Sequence, residues 1–145
     1  MSLLSSISVS ASGMSAERER AEVLVENIAN ADTTRTAEGG PYRRRDVVFQ
    51  SDSVSSPFSS VFQNQMDFQS KGVSVSDIIV DNSEPERRYM PGHPDADKDG
   101  YVAMPRVNPA QDMVDLLGAS RSYQANVSAI SAVKDMIQKS IDLFR

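Results

Sequence analysis

The chain has 145 residues, of which 39% are hydrophobic and 24% charged, with a formal net charge of −5; this length suits one ordinary domain, not a multidomain machine. It contains no cysteine, which excludes a disulfide framework, a thiolate metal site and a cysteine nucleophile. The acidic balance argues against nucleic acid as a partner, and no apolar run nears the roughly 20 residues needed to span a bilayer, so no membrane insertion is expected.

Serine is abundant, with 22 copies, five within the first ten residues and six between 51 and 60. Those two stretches are where disorder is expected. The start lacks a basic region followed by an apolar stretch, so no cleaved export signal is expected.

Over residues 1–31 the spacing predicts a helix. Leu4, Ile7, Ala11, Met14, Arg18, Ala21, Val25 and Ile28 alternate by three and four, the narrow stripe of a coiled-coil seam. Asn30, Ala31 and Asp32 supply its stop.

Residues 32–107 form the predicted middle domain. A polar connector, Thr33 to Pro41, is closed by Gly39-Gly40-Pro41. A strand is predicted from Tyr42 to Phe49, a second from Val73 into Ile78–Val80, and a third over Tyr101–Met104. A serine-rich insert lies between the first two.

The strongest signal lies in residues 108–145. Met113, Leu116, Ser120, Tyr123, Val127, Ile130, Lys134, Ile137, Ile141 and Phe144 keep a strict 4/3 alternation, and Asn108-Pro109 supplies an N-cap and a proline at the first helical position. Such a helix would be roughly 54 Å long, too long for a compact globule of this size. The predicted fold is therefore mainly α with a small β-rich middle. The long terminal helices pair as an antiparallel coiled coil, and the β domain projects between them. Seam residues Leu4, Ile7, Met14, Val25, Ile28, Leu116, Tyr123, Val127, Ile130, Ile137 and Ile141 are the expected assembly interface, completed by neighbouring copies.

Catalytic and cofactor chemistry find little support. Asp95, Asp97, Asp99 and Gly100 open a calcium-loop pattern, making a small calcium-responsive binding protein the alternative reading. Arg106 stands where the motif needs a bidentate Glu, and Pro91 and Pro94 leave no entering helix, so an Asp/Gly turn explains the same residues. His93 is the lone histidine and no Gly-x-Ser-x-Gly elbow is present. Arg43, Arg44 and Arg45 read as an exposed interface or solvated strand more readily than as a nucleic-acid patch. Gly13 and Gly118, each inside a helical pattern, mark either tolerated weak points or a close helix approach.

Several ordered blocks resemble flagellar rod proteins: Ala11-Ser-Gly-Met14, Asn27-Ile-Ala-Asn30, Thr33-Thr-Arg-Thr36 and Glu38 through Phe49. Ala29 to Thr33 resembles the N-terminal motif of the rod, hook and hook-associated family. Pro91 to Asp97, Asp99 to Val102, Val107-Asn-Pro109 and Ala119 to Val127 resemble its proximal-rod members. Positions carried over with these blocks are Asn27, Asn30, Asp32, Thr33, Tyr42, Asn108, Pro109, Ser120, Arg121, Gln124 and Asn126. Asn27, Asn30, Asp32 and Thr33 are expected to fix the turn out of the first helix. The match is weakest between Gln50 and Ser70; Ala37 replaces a frequent proline, and Gly118 a larger residue.

The resemblance implies a structural, non-enzymatic subunit without catalytic residues, metal or cofactor. It implies export through the flagellar type III apparatus and helical stacking into a hollow proximal rod in the periplasm. That rod transmits torque and passes exported subunits. Implied partners are copies of the chain, other rod subunits, and the MS-ring and export-gate region at the rod base.

Overall fold

The computed structural model describes residues 3–53 and 71–143; the serine-rich stretch beyond Ser53 and the last seam residue, Phe144, lie outside them. The order is α1 (Leu3–Ala29), β1 (Arg45–Ser53), β2 (Lys71–Val80), β3 (Glu86–Tyr89), β4 (Tyr101–Met104) and α2 (Pro109–Leu143). β1 pairs antiparallel with β2, and β3 with β4, as separate two-stranded sheets.

Local chemistry sets the helix ends. Asn108 caps α2: its Oδ1 accepts from the N–H groups of Ala110 and Gln111 at 3.2 and 3.4 Å, and its carbonyl accepts from Asp112 N. Pro109 follows as the first helical residue, where its missing N–H costs nothing. With 35 residues, α2 is roughly 52 Å long. The serine-rich start is helical from Leu3.

The two helices run antiparallel. Gly13 of α1 lies beside Asn126 of α2, and Val23 and Leu24 line a groove with Asp115, so rising numbers on one helix meet falling numbers on the other. Their inner face is not the expected stripe. Buried residues are Ala16, Val23, Leu24 and Asn27 on α1, with Asp112, Ala119 and Val133 on α2. On α2, Asp112, Ala119 and Val133 each sit one position before Met113, Ser120 and Lys134. Only Leu116, Ile130 and Ile137 from the expected α2 seam are half-buried, while Tyr123, Val127 and Ile141 are exposed. On α1, Ile7, Met14 and Ile28 are half-buried, and Leu4 and Val25 are exposed.

One cause is the tight fit at Gly13. A Cβ on Gly13 would lie 3.0 Å from Asn126 Nδ2. Small residues such as Gly13, Ala16 and Ala119 let the two helices fit closely there, beside the buried Val23, Leu24 and Val133.

The β1–β2 ribbon does not project; it lies along α1. Arg45 is tied to Asn27, the Arg20 guanidinium sits 5.9 Å from the Phe49 ring, and Val73 N donates to Ser12 Oγ at 3.1 Å. Six strand steps from Arg45 to Ser51, about 20 Å, match the roughly 22 Å of fifteen helical steps from Asn27 back to Ser12. The register slips between Val48 and Phe49, leaving Ser76 as an extra residue in β2; its hydroxyl donates to Val48 O at 3.1 Å. That bulge corrects a break in the alternation. It places Val73 and Val75 on the same face as Ile78 and Val80, opposite Ser51, Phe49, Val47 and Arg45 respectively.

β3 escaped the sequence reading because Glu-Arg-Arg-Tyr has no apolar alternation, and all four residues are exposed. It exists as the partner of β4, whose Val102 and Met104 are buried.

Candidate assembly site

Where α1 ends, α2 begins and β1 starts, polar side chains replace apolar packing. Asn27, fully buried, closes three bonds: Nδ2 donates to Arg45 O at 2.8 Å, and Oδ1 accepts from Arg45 N at 3.0 Å and from the Tyr42 hydroxyl at 2.9 Å. A buried amide so satisfied costs little, and each partner it holds would otherwise be orphaned. Burial pushes the Tyr42 hydroxyl pKa up, helped by the Glu26 and Asp112 charges and opposed by Arg45.

Each of the three consecutive arginines has its own partner. Arg43 donates to Asn82 Oδ1 at 2.6 Å and Arg45 pairs with Glu26 at 3.0 Å. Arg44 donates through Nε and Nη2 to Asp112 Oδ1, at 3.2 and 2.8 Å, and through Nη1 to Asp46. The hydrogen bond to Asp112 is the main cause raising the Arg44 pKa, against desolvation. Asp112 itself is fully buried in the first turn of α2, where the helix dipole favours a carboxylate. Its Oδ2 has no partner. Arg43 to Arg45 are thus a strap joining both helices to the β region. Asp112 was invisible to periodicity, which selected its neighbour Met113; the available signal was an acid in the first turn of a helix in a chain carrying an arginine triplet.

The motif positions concentrate here. Asn30 Nδ2 donates to Glu26 O at 2.9 Å, Thr33 Oγ1 donates to Asn30 Oδ1 at 3.2 Å, and Tyr42 N donates to Thr33 O at 3.0 Å. Asp32 is exposed and makes no hydrogen bond or ion pair among the described residues. On α2, Ser120, Arg121 and Gln124 are exposed, and Asn126 is half-buried against Gly13, its Nδ2 donating to Ser122 O at 3.1 Å.

The acidic loop is a folded turn. Asp97 Oδ1 accepts from Asp99 N at 2.9 Å and Tyr101 N at 2.8 Å. Asp95 accepts from Thr34 Oγ1 at 2.8 Å and faces Arg35 at 4.0 Å, which docks the loop on the connector. These carboxylates serve the fold separately, and no group of three or more residues placed to hold a metal occurs among the described residues.

Away from the junction, the outer faces of the helices are left open. On α2, Met113, Val114, Leu117, Tyr123, Val127 and Ile141 are 41–66% exposed. On α1, Leu4, Ser8, Ala11, Ser15, Arg18, Glu22, Val25 and Ala29 form an exposed 4/3 stripe. No helix among the described residues is long and apolar enough to cross a membrane. Long terminal helices strapped to a small β region, with apolar outer faces uncovered, define a structural subunit.

The family model "Flagella basal body rod protein" matches residues 7–35, and "Flagellar basal body rod FlgEFG protein C-terminal" matches residues 98–143. The chain is 43% identical to the flagellar basal-body rod protein FlgC of Bacillus subtilis, covering 99% of each chain. It is 39% identical to that of Borreliella burgdorferi over 100% of this chain and 99% of the relative. Identity to that of Salmonella typhimurium is 36%, over 99% and 98%. The chain belongs to the family of flagellar basal-body rod proteins FlgC.

Proposed function

We propose that the chain is a structural, non-enzymatic subunit of the bacterial flagellar basal-body rod whose terminal helices bundle with those of neighbouring subunits. The observation that carries this is the exposed apolar face of α2, which α1 leaves uncovered. Leu4, Val25, Tyr123, Val127 and Ile141 supply contacts to neighbours. Ile7, Met14, Ile28, Leu116, Ile130 and Ile137, half-buried at the flanks, face the partner helix and the neighbour together. Seams used from both sides in this way give coiled-coil packing between subunits as well as within one.

In this reading the subunits stack helically into the hollow proximal rod, which transmits torque and passes exported subunits. The chain leaves the cell through the flagellar type III apparatus and works in the periplasm. It meets copies of itself, other rod subunits, and the MS-ring and export-gate region at the rod base. The thin core supports such a route, because a subunit that gains much of its buried area from neighbours is easily kept unfolded before assembly.

Val127→Asp tests the reading. Val127 is 42% exposed, so the isolated chain should keep its stability within about 0.5 kcal/mol, while cells carrying the variant should export the subunit yet lack rods and fail to swim. Ile130 is a poorer choice, because it is half-buried and a charge there would also part the two helices. Normal rods and swimming with Val127→Asp would remove the outer face from assembly.

A further inference from the structure

The β3–β4 hairpin presents a surface that neither the helix pair nor the junction uses. β3 alternates two faces. Arg88 and Glu86 lie opposite Val102 and Met104, whereas Arg87 and Tyr89 lie opposite Ala103 and Tyr101 on the outer side. There the Tyr89 and Tyr101 rings meet edge to face, with centroids 5.3 Å apart at 63°, yet they remain 63% and 42% exposed. The backbone is shaped to hold them. Gly100 has φ +80°, and a Cβ there would come 2.9 Å from the Tyr89 ring, so the turn is open only to glycine.

Two further features belong to the same surface. Arg87 and Arg88 are exposed, and their guanidinium groups form no ion pair or hydrogen bond among the described residues. Met90 N donates to Gly100 O at 2.9 Å, so by ladder alternation the N–H and C=O groups of Arg87 and Tyr89 point outward along a free strand edge. A free edge, an aromatic pair and unpaired arginines are what an added strand requires: backbone partners, an apolar anchor and charge to neutralise. Several acids of the chain's own β region are engaged internally. Asp46, Asp77, Asp81, Asp95 and Asp97 already accept bonds within the molecule.

We propose that the outer edge and face of β3 bind an extended acidic segment of a different protein, which adds as a strand beside Arg87–Tyr89 with a carboxylate against Arg87 and an apolar side chain on the Tyr89–Tyr101 pair. The docking of Asp95 on Thr34 and Arg35 fixes this surface relative to α1, so the bound segment would hold a set position on the subunit.

The probe is a fluorescent peptide of about ten residues in which valine and glutamate alternate along one strand face with threonine between them, with a counterpart carrying lysine in place of glutamate, titrated against the full chain by anisotropy. The acidic peptide should bind saturably and the basic one at least about tenfold more weakly. Arg87→Glu should weaken the acidic peptide by about tenfold or more, and methylating alternate peptide amides should abolish its binding. Equal binding of both peptides, binding of neither, or indifference to Arg87→Glu in a chain with unchanged circular dichroism would overturn the proposal. Self-association that is lost in Arg87→Glu by sedimentation would assign the surface to a second copy, and would also overturn it.

Discussion

The junction and the outer helix faces meet opposite fates. At the junction almost every polar group finds a partner inside the chain: Asn27 satisfies Tyr42 and Arg45, Asn30 holds Thr33, Asn108 caps α2, and Arg44 spans to Asp112. Along the outer faces, large apolar side chains such as Val114 and Leu117 stay 66% and 59% exposed. Directional bonds therefore fix how one subunit is built, while much apolar helix surface is left uncovered by the subunit itself. Hydrogen bonds specify geometry but contribute modest net stability; apolar burial contributes more and tolerates small adjustments of packing.

The Arg44–Asp112 pair is where this division breaks most severely. The Asp112 side chain is 1% exposed and Arg44 22%. Arg44→Ala would leave a buried carboxylate without its counter-charge, at a cost of about 3 kcal/mol. A lowered urea midpoint of the full chain checks this. A midpoint unchanged from the parent would mean that water, not Arg44, neutralises Asp112, and the strap would have no structural weight.

The two helix glycines sharpen the contrast on a scale of about 1 kcal/mol. A Cβ on Gly118 meets nothing within 4 Å, so Gly118→Ala should gain about 1 kcal/mol of helix propensity. At Gly13 the same gain is opposed by the tight approach to Asn126, and Gly13→Ala should give little or none of it. Equal gains at both sites in urea titrations would remove the close approach as the reason for the small inner face.

These two positions also show what the sequence carried. Element existence was legible from the Asn108-Pro109 cap, the long 4/3 stripe and the short strand before Pro105. The faces were not. The periodic stripe marks Leu116, Ile130 and Ile137, which are half-buried, but its other half, Met113 and Val127, turns outward, because part of the interior between the helices is built from residues a hydrophobicity pattern ignores: Gly13, Ala16, Ala119 and Asn126. A stripe states that a helix has partners and not which face serves which. Similarly, Arg43–Arg45 read as an exposed run, since their acceptors Asn82, Asp112 and Glu26 are distant in sequence, and β3 carried no pattern because its pairing is made by backbone groups.

The finest probe of the junction is its alkaline response. The Tyr42 hydroxyl pKa is raised above the ordinary 10.0, first by burial. In the unfolded chain the phenol ionises near 10, whereas in the folded chain it keeps its proton and its bond to Asn27. Protons therefore leave the unfolded state first as pH rises, and the equilibrium shifts towards it. The contribution of Tyr42 to stability is complete below about pH 10 and is lost as pH climbs through the raised folded value. The measurement is a difference: urea midpoints from pH 8 to 11 for the parent chain and for Tyr42→Phe. The variant should start lower, having lost the bond to Asn27 Oδ1, and then fall less steeply, so that the two curves converge. Parallel curves would mean that Tyr42 ionises as freely in the folded chain as in the unfolded one, and that the polar junction is open to water while the helices remain paired.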